Sequence, residues 1–371
     1  MFSIPYKSMV IAYEKMDIYA YISILEVLLN LGIVYLLNLT SIDKLGLYSC
    51  LLFLLNVSVT FAFYIYCRTK YKESKFSFFW NRTMFMEFFN YSLWIVIGSL
   101  AGLLRGQGLN ILLNIFFGPT INAARGIAYQ VHSAINQFVN NFYTACRPQI
   151  TKLYATGKQD SMMTLVFSSS RICYMLTFLF ALPIFIETPF ILQLWLGDIP
   201  NYTILFTRLV LVTILIETIS YPFQAAVSAT GRIKWYQIIT GGLTILTLPA
   251  AYTFLYYGYN PEVVFYVTIF FALIAQLLRI VFMKKLLQMS IISYLKNVIV
   301  PMVLVSTTAL LIPFIFYLIS DKTRHASILI IGVSMISVFV SGGLFGVTKE
   351  EKKIVRLKLK QLYDNKIFRA K

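Results

Sequence analysis

The sequence predicts an all-α integral membrane protein with about ten transmembrane helices. Hydrophobic residues make up 58% of the 371 residues and charged residues only 13%. The mean hydropathy is +0.74, and a soluble domain cannot bury that much apolar surface. Apolar stretches also recur at lengths near the ~20 residues that cross ~30 Å of hydrocarbon. The predicted spans are 19–38, 44–66, 91–116, 121–146, 163–186, 203–227, 235–256, 262–282, 298–319 and 326–346.

The distribution of basic residues predicts the orientation of the chain. The net charge is +17, which in a soluble protein would suggest a nucleic-acid partner. Here the basic residues cluster in alternate connections and in the tail, the pattern expected of cytoplasmic loops. These residues include Arg68, Lys70, Lys72, Arg147, Lys152, Arg232, Lys234, Lys284 and Lys285. We therefore expect a multi-pass protein with both termini in the cytoplasm and no nucleic-acid partner.

Cysteine and histidine usage gives no sign of a metal site or a cofactor. Cys50, Cys67, Cys146 and Cys173 are scattered and form no CxxC motif, so we interpret them as free thiols. Two histidines are too few for a metal site built from histidine. The chain also opens without the continuous apolar core of a signal peptide.

The fourth predicted span, 121–146, is polar along one whole side. Residues at helical spacing form that side: Asn122, Arg125, Tyr129, Ser133, Asn136, Gln137, Asn140, Thr144 and Arg147. Hydrocarbon cannot hydrogen-bond such a face, so it must meet water, a partner helix or a polar ligand. A helix lying flat on the membrane is the rival interpretation. It would place every later basic loop outside, and surface helices prefer Lys and Arg to amides.

The third predicted span contains a cation near its midpoint. A charge at that depth costs at least ~2.5–3.5 kcal/mol, so Arg105 needs a partner or water. Three amides share one face of this span: Gln107, Asn110 and Asn114. On an ideal helix Arg105 points away from them, beside Gly98 and Gly102. Either Gly106 and Gly108 break the helix and turn Arg105 inward, or the glycine stripe allows close packing and Arg105 bonds a neighbouring carbonyl.

Four other titratable residues in the spans leave their roles open. Arg125 contacts a ligand or extends to the interface, and His132 is a structural histidine or a proton switch. Glu217 is a functional candidate by default. It could pair with Arg208, hold a coupled cation, or be a protonated structural carboxyl, although nine residues on one helix are too far for a local pair with Arg208.

Four segments of the chain resemble a known family of membrane proteins. They are 108–131, which contains GPTINAARG, and 147–157, 194–200 and 229–234. Together they resemble bacterial polysaccharide flippases of the Wzx type, which belong to the multidrug/oligosaccharidyl-lipid/polysaccharide (MOP) exporter superfamily. The similarity extends over essentially the whole chain, and it is specific only as an ensemble.

The resemblance implies a MOP/MATE-like fold with two six-helix lobes around a cavity and two extra helices. The third predicted span resembles the seventh helix of that fold. The chain therefore looks N-terminally shortened by about four helices. The implied domains are a residual first-lobe part at 1–90, a complete second lobe at 91–284, the two extra helices at 285–348 and a basic cytoplasmic tail at 349–371.

The resemblance also implies a function in the bacterial inner membrane. The expected substrate is an undecaprenyl-pyrophosphate-linked oligosaccharide, flipped to the outer leaflet by alternating access for O-antigen or capsule synthesis. Expected partners are this lipid, the bilayer and other polysaccharide assembly proteins. The implied substrate-binding residues are Arg105, Gln107, Asn110, Asn114, Arg125, Ser133, Asn136 and Asn140. Glu217 is the candidate coupling carboxylate.

Three alternative functions remain open. A drug or small-cation exporter of the same superfamily would need acidic residues in its cavity, and the polar face at 121–146 has none. A membrane enzyme would need clustered carboxylates or histidines at one membrane face, and the sequence shows no such cluster, so no enzymatic activity is expected. The third alternative is a truncated remnant that does not transport.

Overall fold

The computed structural model describes residues 3–39, 43–74, 79–319, 323–348 and 351–353. Helices and short connections account for all of these ranges, and no β-strand occurs within them. The prediction of an all-α protein is therefore confirmed. The bounds are α1 Ser3–Ala12, α2 Met16–Leu39, α3 Lys44–Lys70, α4 Arg82–Phe117, α5 Pro119–Ala155, α6 Gln159–Ile186, α7 Thr188–Leu196, α8 Thr203–Thr218, α9 Tyr221–Ala229, α10 Lys234–Tyr256, α11 Val263–Leu287, α12 Ile291–Tyr294, α13 Val300–Ile319 and α14 Arg324–Ser341.

Within the described ranges, nine helical segments are long and apolar enough to cross a membrane. They are Met16–Leu37, Lys44–Lys70, Arg82–Phe117, Gln159–Ile186, Thr203–Ala229, Lys234–Tyr256, Val263–Leu287, Ile291–Ile319 and Arg324–Gly346. Each corresponds to one predicted span, so the chain is a multi-pass membrane protein. The remaining predicted span, 121–146, lies in α5, which is long enough but is not among the nine. Its polar side chains set it apart from the others.

The chain divides into two compact units, Met1–Met86 and Glu87–Lys371. The first unit contains α1 to α3, which enclose a small core around Val10, Val59 and Phe63. The predicted domain boundaries at 90, 284 and 348 stay predictions. Most of the predicted basic tail, 354–371, lies outside the described residues.

In the second unit α5 is the central helix, packed against α6, α8 and α9. Its apolar residue Ile135 is buried with Leu211 and Ile214 of α8. Two turns earlier, Ala128 belongs to a second cluster that includes Leu109 of α4. Helices α13 and α14 pack against each other and against α6. Polar residues of α5 contact the same neighbours: Arg125 bonds Asn110 of α4, His132 faces Glu217 of α8, and Asn136 accepts from Tyr221 of α9.

Helix α4 runs unbroken through its glycines, so the predicted break at Gly106 and Gly108 is wrong. Gly98 leaves room for the side chain of Gln237 on α10, and Gly108 leaves room for Leu248 on the same helix. These two glycines serve close helix packing, whereas Gly102 faces open space. The long side chain of Arg105 reaches Glu217 of α8 without any distortion of α4.

A break separates α8 from α9 in the middle of one membrane span. Helix α8 ends at Thr218 and α9 begins at Tyr221, with Pro222 in its first turn. Proline has no backbone N–H and its ring clashes with the carbonyl four residues earlier, which interrupts the helix. The break places Glu217 and Ser220 at a helix end inside the bundle.

Candidate functional site

Three polar side chains from separate helices lie at one depth in the second unit. They are Arg105 of α4, His132 of α5 and Glu217 of α8. Counted at 1.5 Å per residue, each lies roughly 20 Å from one helix end: the carboxyl end of α4 or the amino end of α5 or α8. That depth is well inside a hydrocarbon core of ~30 Å.

Both carboxylate oxygens of Glu217 face a basic group. Nη2 of Arg105 lies 3.4 Å from Oε1, and Nε2 of His132 lies 3.8 Å from Oε2. The Arg105 and Glu217 side chains are only 24% and 22% exposed. The expectation that Arg105 bonds a backbone carbonyl is therefore wrong, because a carboxylate is within its reach.

Glu217 does not pair with Arg208, in agreement with their separation along one helix. Arg208 Nε instead donates to the carbonyl of Phe185 at 3.1 Å and to the hydroxyl of Thr188 at 3.3 Å. Its guanidinium also lies 5.6 Å from the centre of the Phe185 ring. Arg208 thus has its own partners outside the Glu217 site.

Arg125 is buried, with 4% of its surface exposed. It donates to the amide oxygen of Asn110, and its guanidinium lies 4.3 Å from the centre of the Tyr129 ring. The interpretation that it extends to the interface is wrong, because these partners hold it inside the protein. Its Nε is buried without a hydrogen-bond partner, and no ion pair joins it to a carboxylate in the described ranges.

Arg279 of α11 is a third arginine at this site. Its Nη1 donates to the hydroxyl of Ser220 at 3.0 Å. Ser220 in turn hydrogen-bonds Gln276. The Nε of Arg279 is also buried without a partner, and its bond to Ser220 places it three residues from Glu217 along the chain. We call Arg105, Arg125, Arg279 and Glu217 the arginine cluster: it has three guanidinium groups and one carboxylate.

Amides of α5 continue the polar surface away from the cluster. The Oδ1 atom of Asn136 accepts hydrogen bonds from the hydroxyl of Tyr221 at 2.7 Å and from Nδ2 of Asn140 at 3.4 Å. On α4, Nδ2 of Asn110 donates to the Gln107 side chain at 3.5 Å. Four of the predicted amides therefore lie next to the cluster or to one another.

Two predicted binding residues are not part of these contacts. Asn114 and Ser133 are exposed, and neither makes a side-chain hydrogen bond to any residue that the structure describes. On α5, Gln137 and Asn141 are exposed beside Ser133 and bond only each other, at 3.5 Å. Lipid cannot satisfy these groups, so this open face of α5 requires water or a polar partner.

We expect aqueous thiol reagents to label a cysteine at Ser133 in a background without the four native cysteines. Leu277→Cys is the matched control, because Leu277 of α11 is 63% exposed but apolar, and lipid suppresses the reactive thiolate. Labelling of Ser133→Cys at least about tenfold faster than Leu277→Cys would match a hydrated face. If Ser133→Cys and Leu277→Cys are labelled at equal rates, whichever side of the membrane the reagent is added to, the face is not hydrated.

Sequence analysis missed Arg171, a buried arginine of α6 that is 3% exposed. Its Nη2 lies 2.5 Å from a carboxylate oxygen of Glu351. Its other nitrogens donate to the carbonyl of Asn297 at 2.6 Å and to that of Gly346 at 3.1 Å. We call this arrangement the tail anchor. An arginine inside a predicted span was the available signal, but the sequence does not show its partners.

The tail anchor joins two irregular parts of the chain to Glu351. Asn297 and Gly346 lie in two π-helical segments, Leu295–Ile299 and Gly342–Gly346, where the regular helical hydrogen bonds are interrupted. Partial burial would raise the pKa of Glu351. Hydrogen bonds from Ser168 and the Thr348 backbone, with the charge of Arg171, outweigh that effect and lower its pKa.

The fold and the site together define a multi-pass α-helical membrane protein with a cation-rich cluster buried in its second unit. No family model, no curated protein and no solved structure matches the chain. In the part of the chain that the structure describes, no three His, Cys, Asp or Glu side chains are grouped as metal ligands.

Proposed function

We propose that the chain flips an anionic, lipid-linked oligosaccharide across the bacterial inner membrane as a Wzx-type flippase of the MOP superfamily. The proposed substrate is an undecaprenyl-pyrophosphate-linked glycan that moves from the inner to the outer leaflet for O-antigen or capsule synthesis. The observation that supports this proposal most is the excess of positive charge in the arginine cluster.

The excess charge favours an anionic ligand. A cation near the middle of the bilayer costs at least ~2.5–3.5 kcal/mol unless it is paired or hydrated. Glu217 is the only carboxylate that pairs with the cluster in the described ranges, and two of the three guanidinium groups keep a buried Nε without a partner. A pyrophosphate presents several oxygens for charge-assisted hydrogen bonds with such groups.

The polar face of α5 suits the glycan part of the same substrate. Asn136 and Asn140 continue the polar surface along α5 from the cluster, and Ser133 and Gln137 are exposed near them. Amides and hydroxyls both donate and accept hydrogen bonds, as sugar hydroxyls do. An interior-negative potential would also favour outward movement of an anion by roughly 2.3 kcal/mol per charge per 100 mV.

A cation exporter of the same superfamily is the second candidate, because Glu217 does supply an acidic group at the site. Arg105 already pairs with that carboxylate, and a cationic drug would also have to approach the other two arginines of the cluster. Measurement of lipophilic-cation efflux distinguishes the two functions: the flippase proposal expects no efflux above that of cells lacking the protein.

The flippase proposal is tested by surface-glycan export in cells whose export depends on this protein. We expect Arg105→Gln and Arg125→Gln, made separately, each to lower export at least about tenfold at equal protein level, because each removes a charge-assisted contact. Arg208→Gln is the control: it also removes an arginine from a membrane span, but one outside the cluster. Wild-type export by both cluster variants would contradict the proposal. Loss of export in all three would indicate damage to folding, not to a site.

A further inference from the structure

We propose that Glu217 is an internal counter-anion, which pairs with Arg105 while the site is empty and is displaced by the diphosphate group of the substrate. This inference rests on the proposed function, because it concerns how that substrate is bound. It assigns Glu217 a role in selecting and releasing an anion, in place of holding a coupled cation.

The contact between Arg105 and Glu217 is weak for a partly buried ion pair. One guanidinium nitrogen approaches one carboxylate oxygen at 3.4 Å. A strong arginine–carboxylate pair forms two parallel hydrogen bonds at about 2.7–2.9 Å. The pair therefore keeps its electrostatic attraction but has little directional bonding, so a better acceptor can replace the carboxylate at low cost.

A displaced Glu217 would still have basic neighbours. On α5, His132 already faces its second oxygen at 3.8 Å. On α11, Arg279 bonds the hydroxyl of Ser220, which lies three residues after Glu217. A buried carboxylate without any partner would be costly. These groups give Glu217 a second position near its first.

Arg125 is a second guanidinium group of the cluster, and Glu217 does not pair with it. Arg125 bonds Asn110, which lies five residues after Arg105 on α4. It is buried, and its Nε has no partner. Glu217 pairs with only one of these two arginines. A diphosphate has enough oxygens and charge to bond both, which favours diphosphates over ligands with a single carboxylate.

A counter-anion would also help the empty protein to complete its transport cycle after it has released the substrate. Without Glu217, the empty site would expose Arg105 at a depth where a bare cation costs at least ~2.5–3.5 kcal/mol. With Glu217 in place, the empty site keeps part of that charge neutralised. Release of the anion and return of the empty protein would then be easier.

The test is binding of inorganic pyrophosphate to the purified full chain in phosphatidylcholine nanodiscs, measured by calorimetry in buffer without other multivalent anions. We expect Glu217→Gln to bind pyrophosphate at least about tenfold more tightly than the wild type, because the internal competitor is removed. Arg105→Gln should lower affinity at least about tenfold. The double variant should bind like Arg105→Gln alone.

A matched control guards against a general effect of removing a buried carboxylate. Glu187 is 5% exposed and lies at the start of α7, away from the cluster, so Glu187→Gln should bind pyrophosphate like the wild type. If Glu217→Gln is unstable without ligand, purification with pyrophosphate followed by its removal in the nanodisc gives the measurement. The double variant Arg105→Gln/Glu217→Gln leaves no unpaired charge at this pair, so its stability shows whether the fold tolerates loss of the pair.

The outcomes separate this inference from the proposed function. Unchanged or weaker binding by Glu217→Gln, with binding lost in Arg105→Gln, would overturn the counter-anion and leave the anion site standing. Equal binding by the wild type, Arg105→Gln and Arg125→Gln, or no binding by any variant, would overturn both. Tighter binding by Glu217→Gln that persists without Arg105 would show that Glu217 repels the anion generally and would also overturn the exchange.

Discussion

Replacement of Arg171 by methionine is expected to destabilise the protein by about 3–5 kcal/mol, the cost of breaking a buried ion pair. The side chain is almost fully buried and is held by Glu351, Asn297 and Gly346. Methionine fills a similar volume but donates no hydrogen bond, so two backbone carbonyls lose their donor and Glu351 loses its cation. Unfolding in detergent, followed by circular dichroism, measures the change.

Two variants serve as controls for the tail anchor. Arg208→Met also removes an arginine from a span, but Arg208 bonds one carbonyl and one hydroxyl and no carboxylate, so it should cost about 1 kcal/mol. Arg171→Lys keeps the charge but not the planar guanidinium group, so its loss of stability should lie between those of Arg171→Met and Arg208→Met. If Arg171→Met costs no more than Arg208→Met, the tail anchor does not stabilise the fold.

Replacement of Glu217 by leucine is expected to destabilise the protein by about 2–3 kcal/mol, less than a fully buried pair because both side chains are partly exposed. The loss arises because Arg105 keeps its charge at bilayer depth with no carboxylate beside it. The double variant Arg105→Met/Glu217→Leu removes both charges and should lie within about 1 kcal/mol of the wild type.

A double-mutant cycle in anion-free buffer measures this coupling. The single variants Arg105→Met and Glu217→Leu should be non-additive, with the double variant more stable than either. Added pyrophosphate should restore stability to Glu217→Leu but not to Arg105→Met, which has lost a group that binds the anion. A ligand that binds only the folded state stabilises that state. Additive costs would mean that the 3.4 Å contact contributes no net attraction.

The helical fold could be predicted from the sequence, because a membrane span is a local property. A run of about 20 apolar residues is sufficient to identify one, whatever lies beside it. Each of the nine apolar segments was predicted in this way. The amphipathic pattern of 121–146 also predicted a helix, and α5 extends beyond it at both ends.

The site could be predicted only in part, because its contacts join distant residues. Spacing on α5 identified Arg125, Asn136 and Asn140 as one polar side. It could not show that Arg105 meets Glu217, since they are 112 residues apart and an ideal helical wheel ignores the reach of a long side chain. Arg171 and its partner Glu351 are 180 residues apart, and no local pattern connects them.

The interruption between α8 and α9 adds a fixed source of negative potential to the arginine cluster. The carbonyl of Thr218 would be bonded by the backbone N–H four residues later, but that position is Pro222, which has none. Unpaired carbonyls at the carboxyl end of a helix act as about half a negative charge. Unlike a side chain, this dipole cannot take up a proton or rotate away, so it offsets part of the positive charge of the cluster at any pH.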